Sequence, residues 1–152
     1  MLHLDKGIFL EDKSVLLEWG QPEEKLASVN QAKIINHVDR TVVHWGTHTI
    51  LGGLTLELTN TYLGEPNKNL SKEFKWISSW VQGDVIAKRH FDLISKHLIN
   101  KIGEPTGKRL EANLMGQTYW LWATNEVTIT LSHFHLYTIQ TCLTIEQKVD
   151  NI

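Results

Sequence analysis

Two stretches of the sequence repeat one pattern, and this repeat most constrains the fold. In each, an apolar run ends at Gly-x-Pro. A segment with the pattern of a strand and a Trp follows, and then a Thr-rich segment of alternating polar and apolar residues. The Gly-x-Pro segments are 20–22 and 103–105, and the Trp-bearing segments are 41–45 and 118–122. Glycine adopts the left-handed conformation that closes many helices, and a proline soon after cannot continue one. The repeat therefore predicts two related halves, 1–62 and 74–146, and the length of 152 residues fits one domain over 1–152.

Two segments have the spacing of helices. Asp84 is a candidate N-cap for a helix that ends at Gly103, because its carboxylate can accept the unpaired amide hydrogens of a first turn. An apolar stripe at intervals of three or four residues follows it, formed by Ala87, Phe91, Ile94, Leu98 and Ile102. The segment 15–19 also places its apolar residues at helical spacing, which predicts a short helix that ends at Gly20.

Period-two alternation predicts antiparallel strands in both halves. The β-branched residues of 41–45 favour a strand, and Gly52-Gly53 predicts a tight turn between strands over 48–51 and 54–59. Further strands are predicted over 74–80, 119–122, 127–134 and 136–145. The predicted fold class is α+β: an antiparallel sheet with helices packed on one face, built as two helix-hairpin halves.

Composition narrows the functional class. The formal net charge of −2 lacks the basic excess that is usual in a dedicated nucleic-acid binder. The single Cys142 cannot form an internal disulfide, which fits a reducing compartment. Asp5 and Lys6 interrupt what would be the apolar part of an export signal, and no apolar run approaches the roughly 20 residues that cross a bilayer. We expect a cytoplasmic protein that is not bound to a membrane.

Acidic residues are concentrated in the first half. Residues 1–62 contain 5 basic and 8 acidic side chains, a net charge of −3. If the partner is basic, this half is the predicted docking side. The candidate partner-binding residues are Glu11, Asp12, Glu23, Glu24, Asp39 and Glu57.

Histidines supply the alternative chemistry. His133 and His135 fall on one face of a predicted strand, and His44 and His48 could join them from the other half. Three imidazoles and a water can form a catalytic zinc site. The sequence has no accompanying Cys pair and no His-Glu-x-x-His, and it lacks a nucleophile elbow, a phosphate-binding loop and a dinucleotide fingerprint. We therefore expect a protein that is not an enzyme and has no cofactor, and we expect most of the six tryptophans to fill the core.

The run Ile-Leu-Gly-Gly-Leu-Thr-Leu-Glu-Leu at 50–58, downstream of the Trp-Gly-Gln-Pro at 19–22, resembles small bacterial immunity proteins that neutralise polymorphic or contact-dependent toxins. The helix, Gly-x-Pro and hairpin of the second half extend the resemblance. It implies a non-catalytic cytoplasmic inhibitor, a monomer or homodimer, that binds a toxin domain through a polar and often acidic surface. Two alternatives remain: a small-ligand- or metal-binding protein that uses the Trp and His clusters, and a subunit of a larger assembly.

Overall fold

A computed structural model describes residues 4–63, 73–77, 83–110, 118–136 and 138–148. Strands make up 53% of the structure and helices 23%. In chain order the elements are β1 (Gly7–Leu10), β2 (Val15–Glu18), α1 (Glu23–Ser28), a 3₁₀ turn (Val29–Gln31), β3 (Lys33–Asn36), β4 (Arg40–Ile50), β5 (Leu54–Leu63), β6 (Glu73–Ile77), α2 (Gly83–Ile102), β7 (Gly107–Leu110), β8 (Thr118–Ala123), β9 (Val127–Leu136) and β10 (Thr138–Gln147).

The predicted fold class, α+β with helices packed on one face and two helix-hairpin halves, is wrong. The fold is mostly β, with an antiparallel sheet of eight strands. The segment 15–19, predicted as a helix, contains strand β2, which pairs with β1 so that Ile8 lies opposite Leu17. A run of only a few apolar residues between turns fits the helical and the strand period equally well. Pairing with β1, which lies outside the segment, decides between them.

The large sheet has the strand order β3-β4-β5-β6-β10-β9-β8-β7. This order is symmetric about its centre: three strands flank β6 on one side, three flank β10 on the other, and each set of four follows a helix in the chain. The duplication over 1–62 and 74–146 stays a prediction. In the order of the strands, the point of symmetry lies between β6 and β10. By this criterion β6 belongs with β3, β4 and β5, whereas the predicted boundary assigns residues 74–146, which include most of β6, to the second half.

One face of the sheet carries the core, which α2 and the β1–β2 hairpin cover. The apolar stripe predicted on α2 is confirmed, since Phe91, Ile94 and Leu98 are buried. At the hairpin end, Phe74 of β6 packs between two tryptophans, with ring centroids 5.2 Å from Trp19 and 5.6 Å from Trp45. Among the described residues of the opposite face, most side chains are half-buried or exposed. We call this opposite side the open face.

Strand β4 changes its side-chain parity at a β-bulge. The register with β5 shifts between His44 and Gly46, and Gly46 adopts a φ of 83°. Before the bulge, alternate residues up to Trp45 face the core; after it, His48 and Ile50 do so. A bulge inserts one unpaired residue, and a single-residue slip reverses the face on which every later side chain lies.

The tryptophans serve the core, as predicted for most of them. Trp19, Trp45, Trp76 and Trp122 are buried, whereas Trp120 is half-buried and Trp80 lies outside the described residues. Three indole N–H groups also donate to backbone carbonyls: Trp19 to Leu4 at 2.9 Å, Trp45 to Leu26 at 3.3 Å and Trp122 to Gly103 at 2.9 Å. A buried indole usually finds such a partner. These bonds attach the N-terminal segment, α1 and the end of α2 to the core.

His90 of α2 lies over β6 with a polar atom left unsatisfied. Its ring meets Trp76 edge-on at a centroid distance of 5.2 Å. No described residue bonds its buried Nδ1. Burial lowers the pKa of His90 below its ordinary value, and the neighbouring positive charge of Arg89 lowers it further. The neutral imidazole is therefore the form that the fold favours.

We predict that Gly7→Ala destabilises the protein by about 2–3 kcal/mol. Gly7 has a φ of 152°, and a Cβ atom there would overlap the Leu17 carbonyl of the paired strand. Gly107→Ala is the matched control, because a Cβ there meets nothing within 4 Å, and it should change the free energy of unfolding by less than about 1 kcal/mol. Urea unfolding measures both, and equal effects of the two substitutions would contradict the prediction.

We also predict that His90 makes the fold less stable in mild acid. Because the pKa of His90 is lowered in the folded state, the unfolded chain binds more protons below about pH 6.5. Stability is therefore complete above that pH and falls as the pH drops towards the folded-state pKa. His90→Gln should flatten the stability profile between pH 7 and pH 5, whereas the exposed His37→Gln should not. A profile that His90→Gln leaves unchanged would refute the assignment.

Candidate partner-binding site

The first two candidate acids lie in the turn between β1 and β2, where their carboxylates bind the protein itself. Glu11 accepts hydrogen bonds from the backbone N–H groups of Gly52 and Gly53, each at 2.9 Å. Its own N–H donates to the Thr49 carbonyl at 2.8 Å. Ionised acceptors form the stronger hydrogen bonds. Glu11 therefore fixes the tight turn between β4 and β5.

Asp12, the next residue, forms its hydrogen bonds with β4. Its Oδ1 accepts from the Thr49 N–H at 3.0 Å, and its Oδ2 accepts from Nδ1 of His48 at 2.9 Å. These two bonds, the Thr49 bond first, lower the pKa of Asp12 and outweigh the opposing effect of burial. His48 is buried, and its Nε2 lies 2.7 Å from the Trp45 carbonyl and 3.1 Å from Nδ2 of Asn30. The His48–Asp12 contact thus attaches the hairpin to β4.

The remaining candidate acids are spread over the molecule. Glu57 is exposed on the open face, in β5. Asp39 lies in the turn between β3 and β4, 3.5 Å from the Arg40 guanidinium. Glu24 is exposed on α1, and Glu23 begins that helix with a side chain outside the described set. No single acidic patch unites the six among the described side chains.

The four candidate histidines do not converge. The bulge places His44 on the open face and buries His48 on the core face. His133 lies on β9, which is four strand intervals from β4 in the sheet, a span of about 19 Å along the sheet. Its Nδ1 lies 3.0 Å from the Thr141 hydroxyl. The side chain of His135 lies outside the described set.

A metal ion needs its ligands within about 2–2.5 Å of one point. The placement of His44, His48 and His133 cannot meet that condition. The described part of the chain contains no group of three His, Cys, Asp or Glu side chains suited to a metal.

A groove of about 400 Å³ opens beside the bulge, on the open face. We call it the bulge groove; its lining residues include Gln31, Lys33, Ile35, His44, Gly46 and Glu57. Lys33 lies directly opposite His44 in the β3–β4 register. The groove thus combines a cation, an imidazole and the carboxylate of Glu57 within one concave surface.

The backbone at one end of the bulge groove is strained. Asn30 and Gln31 are consecutive non-glycine residues with a φ of 53° each, a conformation that costs about 1–2 kcal/mol per residue. Such strain persists only where surrounding contacts impose it, and it is common at binding sites. Here Asn30 contacts buried His48, while Gln31 lines the groove.

Sequence reasoning missed the bulge groove, although a signal was present. Gly46 interrupts an otherwise β-branched and aromatic strand pattern, and an isolated glycine within a strand is typical of a bulge. A bulge predicted at Gly46 would place His44 and His48 on opposite faces of the sheet. The contribution of β3 and the 3₁₀ turn to the groove depends on tertiary pairing, which no local pattern reports.

Comparison with known protein families, curated proteins and solved structures finds no match to this chain. Among the described residues, neither helix has the length and apolar character to cross a membrane.

We predict that Asp12→Asn reduces the free energy of unfolding at neutral pH, and that the difference from wild type narrows in acid. The pKa of Asp12 is lowered in the folded state, so its contribution is complete above about pH 4 and is lost as the pH falls through the folded-state pKa. Urea unfolding between pH 7 and pH 2.5 measures this.

The matched control is Asp39→Asn. Asp39 is exposed and holds only a surface ion pair with Arg40, which contributes about 0–1 kcal/mol. It should leave both the stability and its pH profile nearly unchanged. A difference between wild type and Asp12→Asn that stays constant from pH 7 to pH 2.5 would show that the charge of Asp12 is not the stabilising feature.

Proposed function

We propose that this chain is a non-catalytic binding protein of the bacterial immunity type, which neutralises a toxin domain by direct contact through the open face of its sheet. The observation that carries the proposal is the bulge groove: a concave site with mixed charge and strained backbone on a broad polar surface. Concave shape, mixed charge and strained backbone together are more typical of a binding site than of a surface that only contacts solvent. The proposal places the protein in the cytoplasm, where the cognate toxin domain acts.

The size of the open face supports a protein partner. Eight strands separated by about 4.8 Å span about 34 Å, and their lengths of 4 to 11 residues correspond to about 13 to 36 Å. The resulting area, on the order of 1,000 Å², exceeds the roughly 800 Å² that each partner buries in a standard interface. The bulge groove lies within this area and can accept a projecting side chain of the partner.

The chemistry of the open face favours a specific and charge-dependent contact. Threonines line it on several strands, among them Thr55, Thr59, Thr130 and Thr144. Short hydroxyl side chains donate and accept hydrogen bonds and lose little conformational entropy on binding. Glu57 and Lys33 supply the charges that fix the orientation of a partner.

Glu57 is the acid that we assign to the interface, with Asp39 and Glu24 steering the approach of a basic toxin domain. Each is exposed. The carboxylates of Glu11 and Asp12 hold the hairpin against the β4–β5 turn, and a partner that engaged them would have to break those bonds. We therefore give these two residues a structural role.

The test is protection from a toxin. The genes beside this chain are searched for a toxin domain, and cells that express such a domain should grow when they also express the wild-type protein. Glu57→Lys should remove protection and weaken binding at least tenfold, because a reversed charge at a close contact costs more than about 1.4 kcal/mol.

Glu104→Lys makes the same charge change at an exposed site beyond α2, and it should protect as well as wild type. Failure of the wild-type protein to protect against, or to bind, an adjacent toxin would end the immunity proposal. Loss of protection by both variants would instead move the interface away from the bulge groove.

A further inference from the structure

A second groove, of about 830 Å³, separates α2 from the turn that joins β4 and β5. We call it the helix groove. One wall is a face of α2, with Arg89, Leu93, Lys96 and Asn100 at intervals of four, three and four residues. Side chains at these intervals lie in a row along a helix. The other wall contains Gly53 and Thr55. Because α2 covers the core face, the helix wall of this groove lies on the other side of the sheet from the bulge groove, and Thr55 reaches the groove from the open face at the start of β5.

Both walls of the helix groove are held in place. Nε2 of His97 donates to the Leu51 carbonyl at 2.7 Å, which ties α2 to the turn. Glu11 fixes the same turn through the N–H groups of Gly52 and Gly53. A site whose walls are already ordered loses little entropy when it binds.

The helix groove is lined by two cations, Arg89 and Lys96, and by one carboxylate, Asp92, which gives its lining a net charge of +1. The sequence of α2 contains four basic and two acidic residues, a net charge of +2, whereas the full chain has −2. Asp92 is paired with Lys88 at 2.8 Å. No described carboxylate forms an ion pair with Arg89 or Lys96. Both are exposed.

Neither of these cations is explained by the ends of the helix. Basic side chains stabilise a helix mainly within its last turn, and the basic residue there is Lys101. Leu93 lies between Arg89 and Lys96 along the row and is 58% exposed. An exposed leucine flanked by two cations without ion pairs can contact an apolar side chain that has a negatively charged group on each side.

We propose that the helix groove binds an acidic segment of another protein, in which two carboxylates flank an apolar side chain. Arg89 and Lys96 are seven residues apart, about 10.5 Å along the helix axis. In an extended peptide, residues i, i+2 and i+4 lie on one side and the outer two are about 13 Å apart. The two basic side chains are long enough to absorb the difference. A Glu-x-Leu-x-Glu segment therefore matches the row.

Other occupants fit the helix groove less well. A single phosphate would make no use of Leu93, which is exposed between the two cations. A nucleic acid would meet two cations in the described lining of this groove, Arg89 and Lys96, whereas its binding normally draws on several phosphate contacts. The proposal goes beyond the proposed toxin contact and does not depend on it, because it uses no residue of the bulge groove.

The test uses the full chain, labelled with ¹⁵N, and the synthetic peptide Gly-Glu-Thr-Leu-Thr-Glu-Gly at low salt. We expect saturable shifts of the amide signals of Arg89, Leu93, Lys96, Asn100 and Thr55, with weaker binding as salt is added. Arg89→Ala combined with Lys96→Ala should weaken binding roughly fivefold to tenfold. Lys13→Ala combined with Lys101→Ala removes the same charge outside the groove and should leave the affinity unchanged.

The other outcomes overturn the proposal. A peptide with Gln in place of Glu that binds equally well would exclude recognition of carboxylates. Inorganic phosphate or a single-stranded oligonucleotide that shifts the same signals and displaces the peptide would identify a general anion site. Shifts that appear on concentration of the protein alone would identify a second copy as the occupant. Absence of saturable shifts, or equal loss of affinity in both double variants, would leave no specific site. Unfolding curves confirm that each variant is folded.

Discussion

The arrangement of the molecule depends on one extra residue in β4. Without the bulge at Trp45 and Gly46, strict alternation would put His48 on the same face as His44 and would turn Ile50 away from the core. The bulge reverses the parity once, so Trp45, His48 and Ile50 all reach the core face. Because strand side chains alternate with a period of two, no smaller adjustment could do this.

The attachment of the β1–β2 hairpin to β4 through Asp12 and His48 is the first consequence of that reversal. Buried His48 is the partner of Asp12, and Asp12 and Glu11 together hold the β4–β5 turn against the β1–β2 hairpin. That turn in turn offers the Leu51 carbonyl to His97 of α2. A series of hydrogen bonds thus runs from the bulge through the N-terminal hairpin to the helix. It orders one wall of the helix groove, while the bulge itself shapes the bulge groove.

Local patterns predicted the parts of the fold that local forces decide. The stripe and terminators of α2 were sufficient because a 20-residue amphipathic helix has one consistent apolar face. The Gly52-Gly53 turn and the strands around it also followed from pattern, since paired glycines adopt the required positive φ. The prediction of a helix over 15–19 is wrong because the four residues of β2 form a strand only by pairing with β1. The polar and poorly periodic segment 22–33, which fits a loop or a frayed helix, contains α1 and the strained 3₁₀ turn.

The candidate site illustrates why charge in a sequence is an incomplete guide to binding. Glu11, Asp12 and Glu57 look equivalent as sequence, yet two of them accept backbone hydrogen bonds and one faces solvent. A carboxylate that accepts a hydrogen bond from a backbone N–H group of its own chain stabilises the fold and is not free to bind a partner. Only the tertiary structure shows which carboxylates form such bonds. The same reasoning applies to cations: Lys88 is neutralised by Asp92, whereas Arg89 one residue later is not. Recognition is therefore expected from charges that the described part of the fold leaves unmatched, among them Glu57 and Lys33 on one side of the sheet and Arg89 and Lys96 on the other.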